Sequence, residues 1–218
     1  MSFIRFILFI LLSLLLVYLP VFNLLGYPLL WLEAYLHEVS HGLAAVLSGG
    51  RVVSITIAYN GDGLCSYIAS RPSIVLFFGY AGATIWGGLI YSGASSSVRV
   101  AHRIALGMVL LLMVTGILWM KPEFESWIIL LTMISLIFFP LWFVRYQTVQ
   151  YFVQFVGIFI MANNIQSVMK LFTIIDRGDH KKLAALTDVS TTVWIWSWLI
   201  FCITVLLIFA IRSIKVYK

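Results

Sequence analysis

Apolar runs near residues 3–20, 27–48, 72–93, 101–119, 126–144, 149–171 and 190–211 divide the chain, separated by short polar or aromatic stretches. Each approaches the ~20 residues needed to cross a hydrocarbon core as a helix. The first is nearly continuous Leu, Ile and Phe, as expected of a lipid-facing helix. It has no A-x-A-like cleavage site, so the reading is a retained span rather than a removed signal peptide. Pro20, Pro28, Pro72 and Pro140 fall near predicted ends, where a missing amide donor does least harm. Pro122 sits in a polar connection with Lys121, Glu123 and Glu125.

Between the second and third runs the period changes from helical to two. In "RVVSITIAYNGDGLCSYIAS", Val53, Ile55, Ile57 and Tyr59 alternate with Ser54, Thr56 and Ala58. "NGDG" supplies residues that tolerate positive φ, so a β-hairpin is predicted over 51–70. Two strands with open edges cannot cross lipid, which places the hairpin at the membrane interface or inside the protein with an edge free to pair. The third run, "VLFFGYAGATIWGGLIYSGA", contains Gly79, Gly82, Gly87 and Gly88. Such small residues let helices approach closely or leave room for a substrate.

Composition agrees with this pattern. Of 218 residues, 62% are hydrophobic and 10% charged, and the mean hydropathy is +1.06. Soluble domains carry about 25% charged residues. The fold class expected is all-α, a polytopic membrane protein of about six or seven spans with one interfacial hairpin, forming a single domain over 1–218. The net charge of +6 comes from bases scattered singly, which suits span ends facing anionic headgroups and not nucleic acid. Cys65 and Cys202 cannot form a disulfide framework. With a cytosolic N-terminus, one side receives Arg5, Arg51, Arg71, Lys121, Lys170, Arg177, Lys181 and Lys182. The other receives Arg99, Arg103, Arg145, Arg212, Lys215 and Lys218, and eight against six favours that orientation.

The second run holds polar groups that lipid penalises by roughly 2.5–3.5 kcal/mol each when charged. His37, Glu38 and His41 have the spacing H-E-x-x-H within "AYLHEVSHGLAAVLSGG". Residues four apart share a helix face, so both imidazoles can point at one metal ion. Glu38 is offset and can reach a water in the remaining coordination position, the arrangement for zinc-assisted hydrolysis. Glu33, one turn earlier, is a candidate partner for an imidazole N–H. A catalytic zinc takes a third protein ligand. Candidates are Asp62, Asp176, Asp179, Asp188, His102, His180 and Cys65, with the polar segment 172–189 read as a connecting loop.

These residues resemble the site-2 protease class of intramembrane zinc metallopeptidases. The similarity lies in "HEVSHGLAAVLSGGRV", the Gly-bearing hairpin, "GYAGATIWGGLIY" and "GDHKKLAALTDVSTTVWIWSW", over roughly 30–93 and 160–200. More specifically it resembles the compact branch common in bacteria, which implies a place in the cell (inner) membrane. The resemblance implies zinc at His37, His41 and Asp179, with Glu38 as catalytic base. It also implies a membrane-protein substrate, cut in or near its transmembrane segment and held as an added strand along the hairpin edge, where Ile55 and Ile57 are candidate contacts. Asn163 and Asn164 are candidates either for donating to a developing oxyanion or for bonding neighbouring helices; Asn164 is the one assigned to the substrate. Ser167 stands where relatives often carry an acid. The competing class is a membrane scaffold or chaperone that keeps the fold without cleaving. A metal or small-solute carrier is a third option, disfavoured because the polar groups concentrate in one span.

Overall fold

A computed structural model describes residues 3–215. The order is α1 (Phe3–Tyr18), α2 (Pro20–Leu47), β1 (Arg51–Ile57), β2 (Gly63–Ile68), α3 (Pro72–Ser96), α4 (Val98–Trp119), α5 (Phe124–Phe143), α6 (Tyr146–Lys170), a 3-10 turn (Leu171–Thr173), α7 (Asp179–Thr187) and α8 (Thr191–Lys215). Among the described helices, α3, α4, α5, α6 and α8 are long and apolar enough to cross a membrane. The protein is an integral membrane protein, and its helices follow the apolar runs.

The central helix is α6. Its residues from Val153 to Asn164 are all buried, as expected of a helix apolar on every side. It meets α3 at Gly87 and Gly157, where a Cβ on either glycine would lie 2.8–2.9 Å from the other's carbonyl oxygen. Gly88 admits Phe209 of α8, and Gly82 admits Ser40 of α2. Close packing therefore accounts for most glycines of the third run.

Three expectations change. Helix α2 begins at Pro20 and runs through Pro28, so that proline lies inside a helix and not at its end. Sixteen residues of α1 are described, fewer than the ~20 that cross a hydrocarbon core. Its Phe6 packs on Tyr91 and its Leu16 backs onto Gly26, both far along their helices from His37. Arg5 lies 4.1 Å over the Tyr151 ring, near Arg145 in sequence, which turns the charge count of eight against six into seven against seven. Charge counting thus favours neither orientation; Lys218 and the Lys215 side chain lie outside the description.

The hairpin is embedded among the helices. Gly50 N–H donates to Ala45 O at its root (2.8 Å), and Trp31 Nε1–H donates to Tyr59 O near its tip (3.0 Å). The strands thus run back along α2 toward its N-terminal half. Strand β1 pairs antiparallel with β2, placing Ile55 opposite Cys65 and Ile57 opposite Gly63. Gly61 adopts φ +87° in the "NGDG" turn, the conformation its sequence anticipates. Ile55 and Ile57 are fully buried, but a register shift between Val52 and Ser54 leaves Val53 60% exposed, breaking the predicted alternation.

Candidate metal centre

Helix α2 carries His37 and His41 one turn apart, and their Nε2 atoms stand 3.0 Å from each other. Asp179, the first residue of α7, closes the triangle: its Oδ2 lies 3.2 Å from His37 Nε2 and 3.0 Å from His41 Nε2. Three ligand atoms bound tetrahedrally at zinc distances would be separated by about 3.3 Å. The group therefore fits a small divalent cation, and it is the one such cluster of three or more His, Cys, Asp or Glu side chains among the described residues.

The tautomer of His41 follows from its surroundings. The Val75 carbonyl can only accept, so His41 Nδ1–H donates to it (2.8 Å) and Nε2 keeps its lone pair for a metal. His37 is held edge-on by Tyr80, with ring centroids 4.4 Å apart. Room for both imidazoles comes from Gly79, where a Cβ would sit 2.5 Å from His41 Cε1 and 2.6 Å from His37 Nε2. Burial alone would raise the Asp179 carboxyl, but protons on the two imidazoles beside it, in the place a cation would take, hold it well below the usual carboxylate range. It is anionic, as a ligand must be.

Asp179 reaches the site through local backbone chemistry. Gly178 adopts φ +108°, a conformation that side-chain-bearing residues rarely take, and α7 starts immediately after it. His180 turns away and donates Nε2–H to Ile174 O (3.0 Å), tying down the incoming loop. The segment read as a loop thus contains a 3-10 turn and a helix. The other third-ligand candidates are occupied elsewhere. Asp62 bonds Asn60 in the hairpin turn, Asp188 caps α7 in a left-handed conformation, Asp176 is exposed, and His102 stacks on Tyr146. Cys65 is near, but burial, reinforced by Glu38 and Asp179, pushes its thiol up to about 12, leaving it neutral.

Glu38 is 7% exposed and lies between α2 and β2. A Cβ on Gly63 would fall 2.6 Å from Glu38 Oε1, and the Cys65 backbone amide bonds to the same side chain. Glu33 accepts from Asn163 Nδ2 (2.9 Å) and makes no hydrogen bond to an imidazole. Asn164 Nδ2 donates to Tyr80 O (2.8 Å) and Thr84 Oγ1 (2.7 Å), fastening α6 to α3. Ile55 and Ile57 point into the core, and the outer edge of β1 is already engaged. Lys121 N–H donates to Ile55 O (2.9 Å), while Ser126 Oγ receives from Ile57 N–H (3.2 Å) and donates to Ile57 O (3.1 Å). Alternation in an antiparallel ladder then directs the backbone groups of Cys65 and Gly63 away from β1, along an edge that faces Glu38.

Val75, Gly79, Tyr80, Gly63 and Gly178 were not among the site residues expected from sequence. Of these, Gly79, in a run marked for its glycines, Gly63, in the marked "NGDG" turn, and Gly178, before Asp179, carried a visible signal.

No curated protein and no solved structure matches the chain. A family model described as peptidase M50B-like matches residues 7–209, and that span includes the whole His37–Glu38–His41–Asp179 group. The chain belongs to the peptidase M50B-like family, a site-2-protease-like family.

Proposed function

We propose that this protein is a zinc-dependent endopeptidase that hydrolyses a peptide bond in or near the transmembrane segment of a membrane-protein substrate. The observation that carries the reading is the convergence of His37, His41 and Asp179 on one point, with Glu38 one residue from the first ligand and facing the β2 edge. Two imidazoles and a carboxylate are a donor set that zinc favours, and they leave one coordination position for water or substrate. Zinc held there would lower the pKa of a bound water to about 7 and polarise the scissile carbonyl. Glu38 acts as the base, taking a proton and later delivering it to the leaving amine.

The β2 edge supports a more specific account of substrate binding than Ile55 and Ile57 do. A helical peptide bond is shielded and its backbone groups are satisfied, so the substrate must unwind before hydrolysis. An extended segment laid along Gly63–Tyr67 would pair with the outward groups of β2, taking over the Cys65 amide from Glu38 and so freeing that carboxylate. Its backbone would then pass Glu38. Gln166 on α6 is buried with neither amide atom partnered, and Asn163 bonds Glu33. These polar groups favour a wet route between α2 and α6 over a dry one.

The decisive test uses the purified full-length protein with a reporter carrying a transmembrane helix. Glu38→Gln keeps the shape of the site and removes the base. The expected result is retained zinc with turnover reduced ~10²–10⁴-fold. Cleavage at the wild-type rate would remove the mechanism. A wild-type protein that binds zinc and cleaves no reporter, with a cellular effect unchanged by the substitution, would favour the scaffold reading.

A further inference from the structure

The face of α2 turned away from the metal group borders a second feature. An apolar cavity of about 420 Å³ lies between α2, α3 and α4, walled by Leu32, Leu36, Trp86, Ile90, Met108 and Leu112. That volume falls within the ~300–1,000 Å³ range of small-molecule sites. It opens beside Gly107, where a Cβ would meet nothing within 4 Å. Arg103, one turn before Gly107, lines the same cavity and is exposed.

Arg103 has no counter-ion among the described residues. No acid occurs between Asp62 and Glu123 or between Glu125 and Asp176, so α3, α4 and α6 contain none. Arg99 is exposed one turn earlier. The bases sit in the first turns of α4, which begins at Val98, the end of a helix that repels cations and attracts anions. Nearby, His102 has a buried Nδ1 with no partner. An apolar slot with a cation at one end and a helix N-terminus beside it matches an amphiphile with an anionic head.

We propose that this cavity seats an acyl chain of an anionic phospholipid whose phosphate pairs with Arg103. The tail lies against Trp86 and the back of α2, and the headgroup supplies the negative charge that α3, α4 and α6 lack. One arginine at a membrane surface favours an anionic over a zwitterionic lipid about fivefold.

The test reconstitutes the full-length, delipidated protein with brominated phosphatidylglycerol or brominated phosphatidylcholine. The Trp86 signal is isolated by subtracting the Trp86→Phe variant. The expected result is quenching of Trp86 at about fivefold lower mole fraction of the anionic lipid. Arg103→Gln abolishes that preference, Arg103→Lys retains it, and Gly107→Phe fills the opening and removes quenching by both lipids. Native mass spectrometry gives a second readout that needs no tryptophan: phosphatidylglycerol stays bound to wild type and is lost from Arg103→Gln. Equal quenching by both lipids in wild type would reduce the site to ordinary boundary lipid and overturn the proposal. Absence of quenching by either would mean that something other than lipid fills the cavity. Retention of the preference in Arg103→Gln would overturn the assigned headgroup contact.

Discussion

Helix α2 is 28 residues long and buried around its motif, whereas α7 has nine residues and exposes Lys181 and Lys182. Each nonetheless brings candidate ligand atoms to the same point. The imidazoles of α2 are fixed by a long helix, by Val75 and by the space at Gly79. Asp179 depends on a positive-φ glycine, a loop tied by His180, and the packing of one buried face, His180 and Leu183. Short helices have little stability of their own, so α7 is held by its docking onto α3 and α8. The two-ligand half is built in; the third ligand is brought in by tertiary structure.

The largest expected effect attacks the α7 half. Asp179→Ala should lower zinc affinity by more than ~100-fold, beyond the 10–100-fold typical of losing an outer partner. Metal content after dialysis against a weak chelator checks this, and undiminished zinc would move the ligand elsewhere. Gly178→Ala keeps every candidate ligand side chain but strains the backbone by ~1–3 kcal/mol. Zinc affinity should fall roughly 5–150-fold if the strain is relieved by displacing Asp179. On the α2 side, Gly79→Ala introduces a methyl against both imidazoles. Overpacking of this kind costs ~1–3 kcal/mol, and part of it should appear as weaker zinc binding with the fold retained by circular dichroism. Thermal unfolding of the zinc-loaded and zinc-free proteins separates the two glycines: the loss at Gly178 should be confined to the loaded form.

The smallest effect tests the hairpin. Ser126→Ala removes two of the three bonds that close the outer edge of β1, leaving Lys121 N–H on Ile55 O, and should cost about 1 kcal/mol of stability. Reporter cleavage per folded molecule should stay unchanged, because the substrate edge is assigned to β2. A large drop in turnover without loss of stability would return that role to β1.

Much of this was readable along the chain. The apolar runs became helices, and the alternation around Ile55 and Ile57 became a strand, because burial follows hydrophobic period closely. The H-E-x-x-H spacing places two imidazoles on one face by helix geometry alone. Other features were not readable. Pro28 lies within α2, although a proline usually marks an end. Helix α1 has the composition of a span, and its place against Tyr91 and Gly26 is a matter of neighbours. The bulge near Val53 exposed a residue that strict alternation would bury. Helix α7 was hidden because its sequence is short and polar, and one buried face of two residues is too little periodicity to register.

The sequence by itself determined an integral membrane protein with a paired-histidine motif, because periodicity, composition and spacing are local properties that each segment carries alone. Tertiary structure decided that Asp179 reaches His37 and His41 from a position 138 residues beyond the nearer one. It also decided that Asn164 braces helices and that Glu38 faces β2. Those outcomes depend on which surfaces exclude one another when the helices pack, and no single stretch of chain contains that information.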